Sequence, residues 1–277
     1  MNAYRYKPFR FYIVVFLLTW LFWIAAAILG SHGADEGLTN SLMLLGLLVP
    51  SVTAIFMILS SKNAALKADL KHKLFGLFRV KPMVVVASIV AFFAIIAMSI
   101  LVSLAFGQSL SQFSFVAGFS FSIGGVPTLL TLVLAALLEE LGWRGYAEDS
   151  IASYCSWWKE SLIFGVVWSL WHVPLFFIHG TYQWEILQQN PWFMVNFLVS
   201  IMPLGFLFTW VYVKNDRSIF ACMIFHLFVN LLQEEIALTQ VTKCIETGVL
   251  LIAAAVVVIL NRELFFETKH IGRLLES

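Results

Sequence analysis

The chain has 277 residues, of which 61% are hydrophobic and only 12% charged. Soluble domains run at about 45–50% apolar and about 25% charged, so this composition excludes an ordinary soluble globular protein. The net charge of +1 is uninformative until divided by loop, and Cys155, Cys222 and Cys244 lie too far apart for a disulfide framework or a thiolate metal site.

In chain order, eight runs have the roughly 17–25 residues that a transmembrane helix needs. They are 11–29, 41–60, 83–106, 126–146, 160–179, 192–213, 217–234 and 244–261. The first follows Arg5, Lys7 and Arg10, as a signal peptide would, but is too long for a signal core and reads as a retained span. Between the second and third, 62–82 is basic with Leu66, Leu70, Leu74, Phe75, Leu77 and Phe78 interleaved. It fits either an amphipathic helix on the cytoplasmic leaflet or a solvated basic loop. The uncharged stretch 107–125 fits either a re-entrant dip or a segment resting on the outer face. Tyr and Trp near several span ends, including Tyr12, Trp157, Trp158, Trp192 and Tyr212, fit interfacial belts.

The eight spans place sixteen of the seventeen Lys and Arg residues on one side and leave Lys243 on the other. The positive-inside rule then puts both termini in the cytoplasm. The expected fold is an all-α polytopic membrane protein, a single domain over 1–277 with its functional core at about 126–234. No internal repeat, Gly-rich phosphate loop or basic stripe suited to nucleic acid is present.

Charge inside the fourth span is the feature that asks for a function. Glu139 and Glu140 end an apolar run, where an intramembrane charge costs roughly 2.5–3.5 kcal/mol on insertion scales. Arg144 lies four residues after Glu140, on the same helical face, and suits an ion pair with it. Glu139 is left without an obvious local partner. The fifth span carries Trp168 and His172 one turn apart, with Pro174 placed to kink the helix. The seventh carries His226 and Asn230, again four apart. At a rise of about 1.5 Å per residue, Glu139, His172 and His226 fall about 10–20 Å below the cytoplasmic surface. A lone intramembrane His or Asn is ordinarily a packing residue, and such hydrogen bonds average only about 0.6 kcal/mol. Four polar groups at matching depth on three helices suit a water-accessible cavity better.

Such a cavity supports two chemistries. Glu139 as a general base activates water for attack on a carbonyl, with His and Asn donating to the oxyanion. Alternatively, Glu139, His172 and His226 hold a zinc ion with water in the fourth position. No H-E-x-x-H and no Ser–Lys or Ser–His pairing occurs. Intramembrane Glu and His also build proton relays, so a proton-coupled transporter is the main rival, although the missing repeat weakens it. A non-catalytic scaffold or immunity protein is the other.

In order and spacing, Glu139-Glu140-x-x-x-Arg144, Trp168-x-x-x-His172 and His226-x-x-x-Asn230 resemble the signatures of the CAAX-protease and bacteriocin-processing (CPBP, or Abi) family. That family includes the type II CAAX prenyl endopeptidases. The surrounding Leu-Gly-Trp-Arg-Gly-Tyr and Leu-Trp-His-Val-Pro-Leu-Phe-Phe strengthen the likeness, while Trp168 stands where the family commonly has Phe. The resemblance implies an eight-helix membrane endopeptidase acting on a prenylated or otherwise membrane-anchored substrate, with its site opening toward the cytoplasm. By motif, Glu139 would activate water, His172 would assist, and His226 and Asn230 would form the oxyanion site. Glu140, Arg144 and Trp168 would support them. The family is described both as metallo- and as glutamate-type. Asn230 suits an oxyanion site better than a zinc site, which favours chemistry without a cofactor.

Overall fold

The computed structural model describes residues 4–75, 80–116 and 128–267. Expectations that fall on 76–79, 117–127 and 268–277 lie outside the described residues, among them Leu77, Phe78, Arg79, the second half of 107–125, Lys269 and Arg273. Among the described residues there is no strand, only an isolated bridge between Phe115 and Ile236.

The helices are α1 (Pro8–Ser31), α2 (Glu36–Ser60), α3 (Ala64–Phe75), α4 (Pro82–Ser103), α5 (Thr128–Gly142), α6 (Glu148–Ala152), α7 (Trp157–Trp171), α8 (Tyr182–Gln189), α9 (Pro191–Lys214), α10 (Ile219–Glu235) and α11 (Gln240–Leu260). Among the described residues six helical stretches are long and apolar enough to cross a membrane: Pro8–Ser31, Glu36–Ser60, Pro82–Phe106, Trp157–Phe177, Pro191–Lys214 and Gln240–Leu260. Large apolar side chains such as Leu17, Leu21, Phe56, Val90, Ile252 and Ile259 face outward, while Glu140, Arg144, Glu148, Asp149 and Glu160 are fully buried. This inversion of a soluble protein suits a lipid solvent, in which charge is tolerated only inside the bundle. The protein is an integral membrane protein.

Among the described residues, six long helices stand beside the eight spans expected. The two that fall short are those bearing the acidic pair and the second histidine. α5 has 15 described residues before a π-helical segment, Trp143–Ala147, leads into α6. α10 has 17, capped by Ser218, whose Oγ accepts from Ala221 N. α10 nonetheless joins the two ends of the bundle. Arg217, just before it, pairs with Asp69 and Asp149. At its far end Val116 N donates to Glu235 O at 2.8 Å and Ala237 N to Ser114 O at 3.0 Å. The described part of the 107–125 stretch is therefore docked on the α10–α11 connection.

Two close approaches fix the helices around the site. Pro50 sits inside α2 and cannot donate to Gly46 O, and the Thr19 hydroxyl of α1 donates to that carbonyl instead, at 3.1 Å. The same proline abuts Gly142, where an added Cβ would lie 2.5 Å from Pro50 Cβ, so only glycine lets α5 sit this close to α2. At Gly165, a Cβ would lie 3.0 Å from Met202 Cα, so α7 and α9 also meet almost backbone to backbone.

The 62–82 segment is helical where described, but it does not simply lay an apolar stripe on lipid. α3 buries Leu66 and Lys73, while Phe75 remains exposed. Nζ of Lys73 reaches Asp149, Asp69 and the π-segment carbonyls of Arg144 and Gly145 at 3.2 and 3.1 Å. Tyr212 Oη donates to Arg144 O at 2.9 Å. The π-helical register frees carbonyls from the ordinary ladder, and α3 and α9 supply donors to them.

Candidate active site

Adjacent residues on a helix point about 100° apart, and the two acids have different neighbours. Glu139 is buried, and its Oε2 accepts from the indole Nε1 of Trp168 at 3.0 Å and of Trp143 at 3.3 Å. Among the described residues no hydrogen bond engages its Oε1 and no cation pairs with it. The sequence expectation of no local partner is therefore corrected: Trp143, four residues on, is one, and its signal was the i,i+4 spacing.

Glu140 makes the expected ion pair, with Arg144 Nη1 2.9 Å from Oε1. The same oxygen accepts from His226 Nδ1 at 2.7 Å. Glu140 is thus not reserved for Arg144, and the second histidine leans on this acid through its Nδ1. Arg144 is held further by Glu148, with Nη2 3.1 Å from its Oε1, and lies between the ring faces of Phe164 and Phe208, at 4.9 and 4.6 Å. The Gly165 crossing brings those two rings together from α7 and α9.

Trp168 is the hub of the layer. Its ring lies 6.0 Å from that of His172 and 5.8 Å from that of His226, while its N–H is spent on Glu139. The kink expected at Pro174 is a change of helix type. α7 ends at Trp171, His172 is the C-cap, and a 3-10 turn, Val173–Phe177, follows. At this helix end His172 Nδ1 lies 2.7 Å from Trp168 O. A carbonyl only accepts, so Nδ1 carries the proton and Nε2 is the ring atom left for other partners. The side chain of Asn230, half-buried one turn beyond His226, makes no hydrogen bond among the described residues.

The zinc alternative gains no support from the geometry: among the described residues no three His, Cys, Asp or Glu side chains converge closely enough to hold a metal ion. Glu139 Oε2 accepts from two N–H donors and each histidine spends Nδ1 on another acceptor, which leaves Oε1 and the two Nε2 atoms for substrate or water. Sequence reasoning missed Glu148, whose signal was again a four-residue spacing, and the fully buried Glu160, which accepts from Thr209 Oγ1 at 3.2 Å. Only the tertiary fold reveals the latter.

Residues 121–232 match the family described as type II CAAX prenyl endopeptidase Rce1-like. The chain is also 43% identical, over 267 residues, to CAAX prenyl protease 2 of Methanococcus maripaludis, an alignment covering 96% of this chain and 98% of that relative. The chain belongs to the Rce1-like family of type II CAAX prenyl endopeptidases.

Proposed function

We propose that this protein is an intramembrane endopeptidase of the CAAX prenyl protease type, hydrolysing a peptide bond near the C-terminus of a prenylated or otherwise membrane-anchored substrate. It crosses the bilayer eight times, with α5 and α10 supplying the two shorter crossings. Both termini and the mouth of the site face the cytoplasm, and 126–234 forms the catalytic core.

The observation that carries this reading is the asymmetry of Glu139: one oxygen tethered by two indoles, the other open. Oε1 takes a proton from water, and the resulting hydroxide attacks the scissile carbonyl. Nε2 of neutral His172 accepts the second hydrogen of that water and orients it. His226, with Nδ1 anchored on Glu140, donates from Nε2 as the imidazolium, and Asn230 donates from its amide. Together they hold the oxyanion of the tetrahedral intermediate. When the C–N bond breaks, Glu139 returns its proton to the departing amine. Glu140, Arg144 and Trp168 position these groups. This scheme needs no metal ion.

Cleavage of a farnesylated CAAX peptide by purified protein tests the reading. Glu139→Ala should abolish turnover, with a loss of about 10²–10⁴-fold for a general base. His226→Ala should cost about 10²–10³-fold for an oxyanion donor. Undiminished cleavage by Glu139→Ala would overturn the mechanism. Loss of cleavage on adding a chelator would restore the zinc chemistry. No cleavage by the wild type, with proton-coupled flux in proteoliposomes, would favour a transporter.

A further inference from the structure

A second concavity lies away from the acidic layer, at the end of the bundle where the N-terminal segment meets the α2–α3 turn. It is a cleft of about 360 Å³ lined by Tyr4, Arg5, Lys7 and Arg10 on one side and by Phe56, Met57, Ser60, Ser61 and Asn63 on the other. Ligand pockets typically measure about 300–1,000 Å³. Among the described residues no carboxylate lines it. Arg5, Lys7 and Arg10 have no acidic partner among the described residues, Arg5 meeting only the Tyr154 hydroxyl, at 3.3 Å. All three are exposed and screened by water, and an anion seated in the cleft would meet all of them at once.

The walls are built in advance of any ligand. Tyr4 and Tyr146 share a hydrogen bond of 2.9 Å, Lys7 N donates to the Tyr146 hydroxyl at 3.1 Å, and Tyr154 donates to Tyr6 O at 2.7 Å. The segment bearing the cations is therefore strapped to the helical run that carries Glu139. Across the cleft, Asn63 spends Oδ1 on Leu66 N, which leaves its amide N–H groups as donors. Phe56, 63% exposed, sits at the edge of the cleft on the lipid-facing surface of α2. A cleft that is cationic inside and opens beside an apolar, lipid-facing ring is matched to a phosphate group that carries acyl chains.

We propose that this cleft binds the phosphate headgroup of an anionic phospholipid. Basic pockets between transmembrane helices on the cytoplasmic side are the general form of such sites. The leaflet rests on the topology proposed above. Binding does not depend on the proposed chemistry, so the two fail separately.

The test places the full-length protein in phosphatidylcholine nanodiscs with a rising fraction of phosphatidylglycerol and counts retained anionic lipid by native mass spectrometry. At about 1 kcal/mol per basic residue, the triple substitution Arg5→Gln, Lys7→Gln, Arg10→Gln should weaken retention roughly a hundredfold. Lys7→Gln or Arg10→Gln alone should weaken it about fivefold, and these singles carry the test if the triple does not fold. Lys62→Gln, Lys67→Gln, Lys71→Gln, which removes equal charge from exposed positions around α3, should leave retention unchanged. Retention by the triple Arg5/Lys7/Arg10 variant overturns the proposal, as does an equal loss in the Lys62/Lys67/Lys71 variant, which would make bulk surface charge the cause. Displacement of the lipid by millimolar inorganic phosphate would make the ligand a free anion and overturn the lipid assignment.

Discussion

Two buried charge clusters meet on the π-helical segment, and they are composed differently. In one, Lys73 and Arg217 interlock with Asp69 and Asp149, two cations against two acids, every charge bridging more than one helix or loop. In the other, Glu140 and Glu148 share Arg144, His226 leans on Glu140, and Glu139 has no cation among the described residues. A balanced buried cluster is a fastener whose loss shows as instability. An acid-rich one costs stability to maintain, and an acid left without a counter-ion is free to exchange a proton. Composition thus separates the cluster that holds the helices from the one to which the proposed chemistry is assigned.

The sharpest way to break this distinction is to neutralise one member of each cluster. Glu140→Gln leaves His226 without its charged partner and should lower kcat about 10²–10³-fold, as loss of an oxyanion donor does. Lys73→Met should instead destabilise by about 3–5 kcal/mol, the cost of breaking a buried pair from one side. Its kcat, measured on the folded fraction, should stay within about tenfold of wild type. Equal stability losses with equal kcat losses would erase the contrast.

Trp168→Phe keeps the ring of the hub and removes its N–H. A hydrogen bond to a charged group is worth about 1.5–3 kcal/mol, so kcat should fall by about tenfold to a hundredfold, with KM and thermal stability little changed. A fall in stability with kcat intact would make Trp168 a packing residue only.

The Lys73–Arg217 cluster should also show its own acid limit. Burial pushes the Asp69 carboxyl up, but Lys73 and Arg217 more than offset that and hold it below the usual aspartate range. Its stabilisation is therefore complete above about pH 4 and is lost as pH falls through the depressed value. Thermal unfolding of detergent-solubilised protein between pH 7 and pH 3 should reveal this, and Asp69→Asn should flatten the acid limb. The smallest expected effect belongs to Thr19→Val, about 0.6 kcal/mol, typical of an interhelical hydrogen bond in a membrane.

Apolar run length made the six long helices legible to within a few residues, because lipid leaves a spanning backbone no alternative to helix. The acid- and histidine-bearing helices were legible as runs but misjudged in extent. The apolar run of 126–146 was read straight through the π segment, while in 160–179 Pro174 signalled the break after His172 but not its 3-10 form. Pairs within one helix were readable from spacing, as Glu140 with Arg144 was. Contacts between helices were not: the Trp168 bond to Glu139 and the His226 bond to Glu140 depend on the Gly142 and Gly165 crossings, where side-chain size decides the approach. Lys73 looked like one more surface charge because the π-segment carbonyls it serves are set by tertiary structure.

The Thr19 bond to Gly46 O has a consequence for the order of events during synthesis. Chains emerge N-terminus first, so α1 and α2 enter the membrane before any residue of the acidic layer exists. Because α1 itself covers the carbonyl that Pro50 leaves bare, this hairpin arrives with its backbone already satisfied. It can wait in lipid as a finished surface, its proline notch ready for Gly142 when the fifth helix follows.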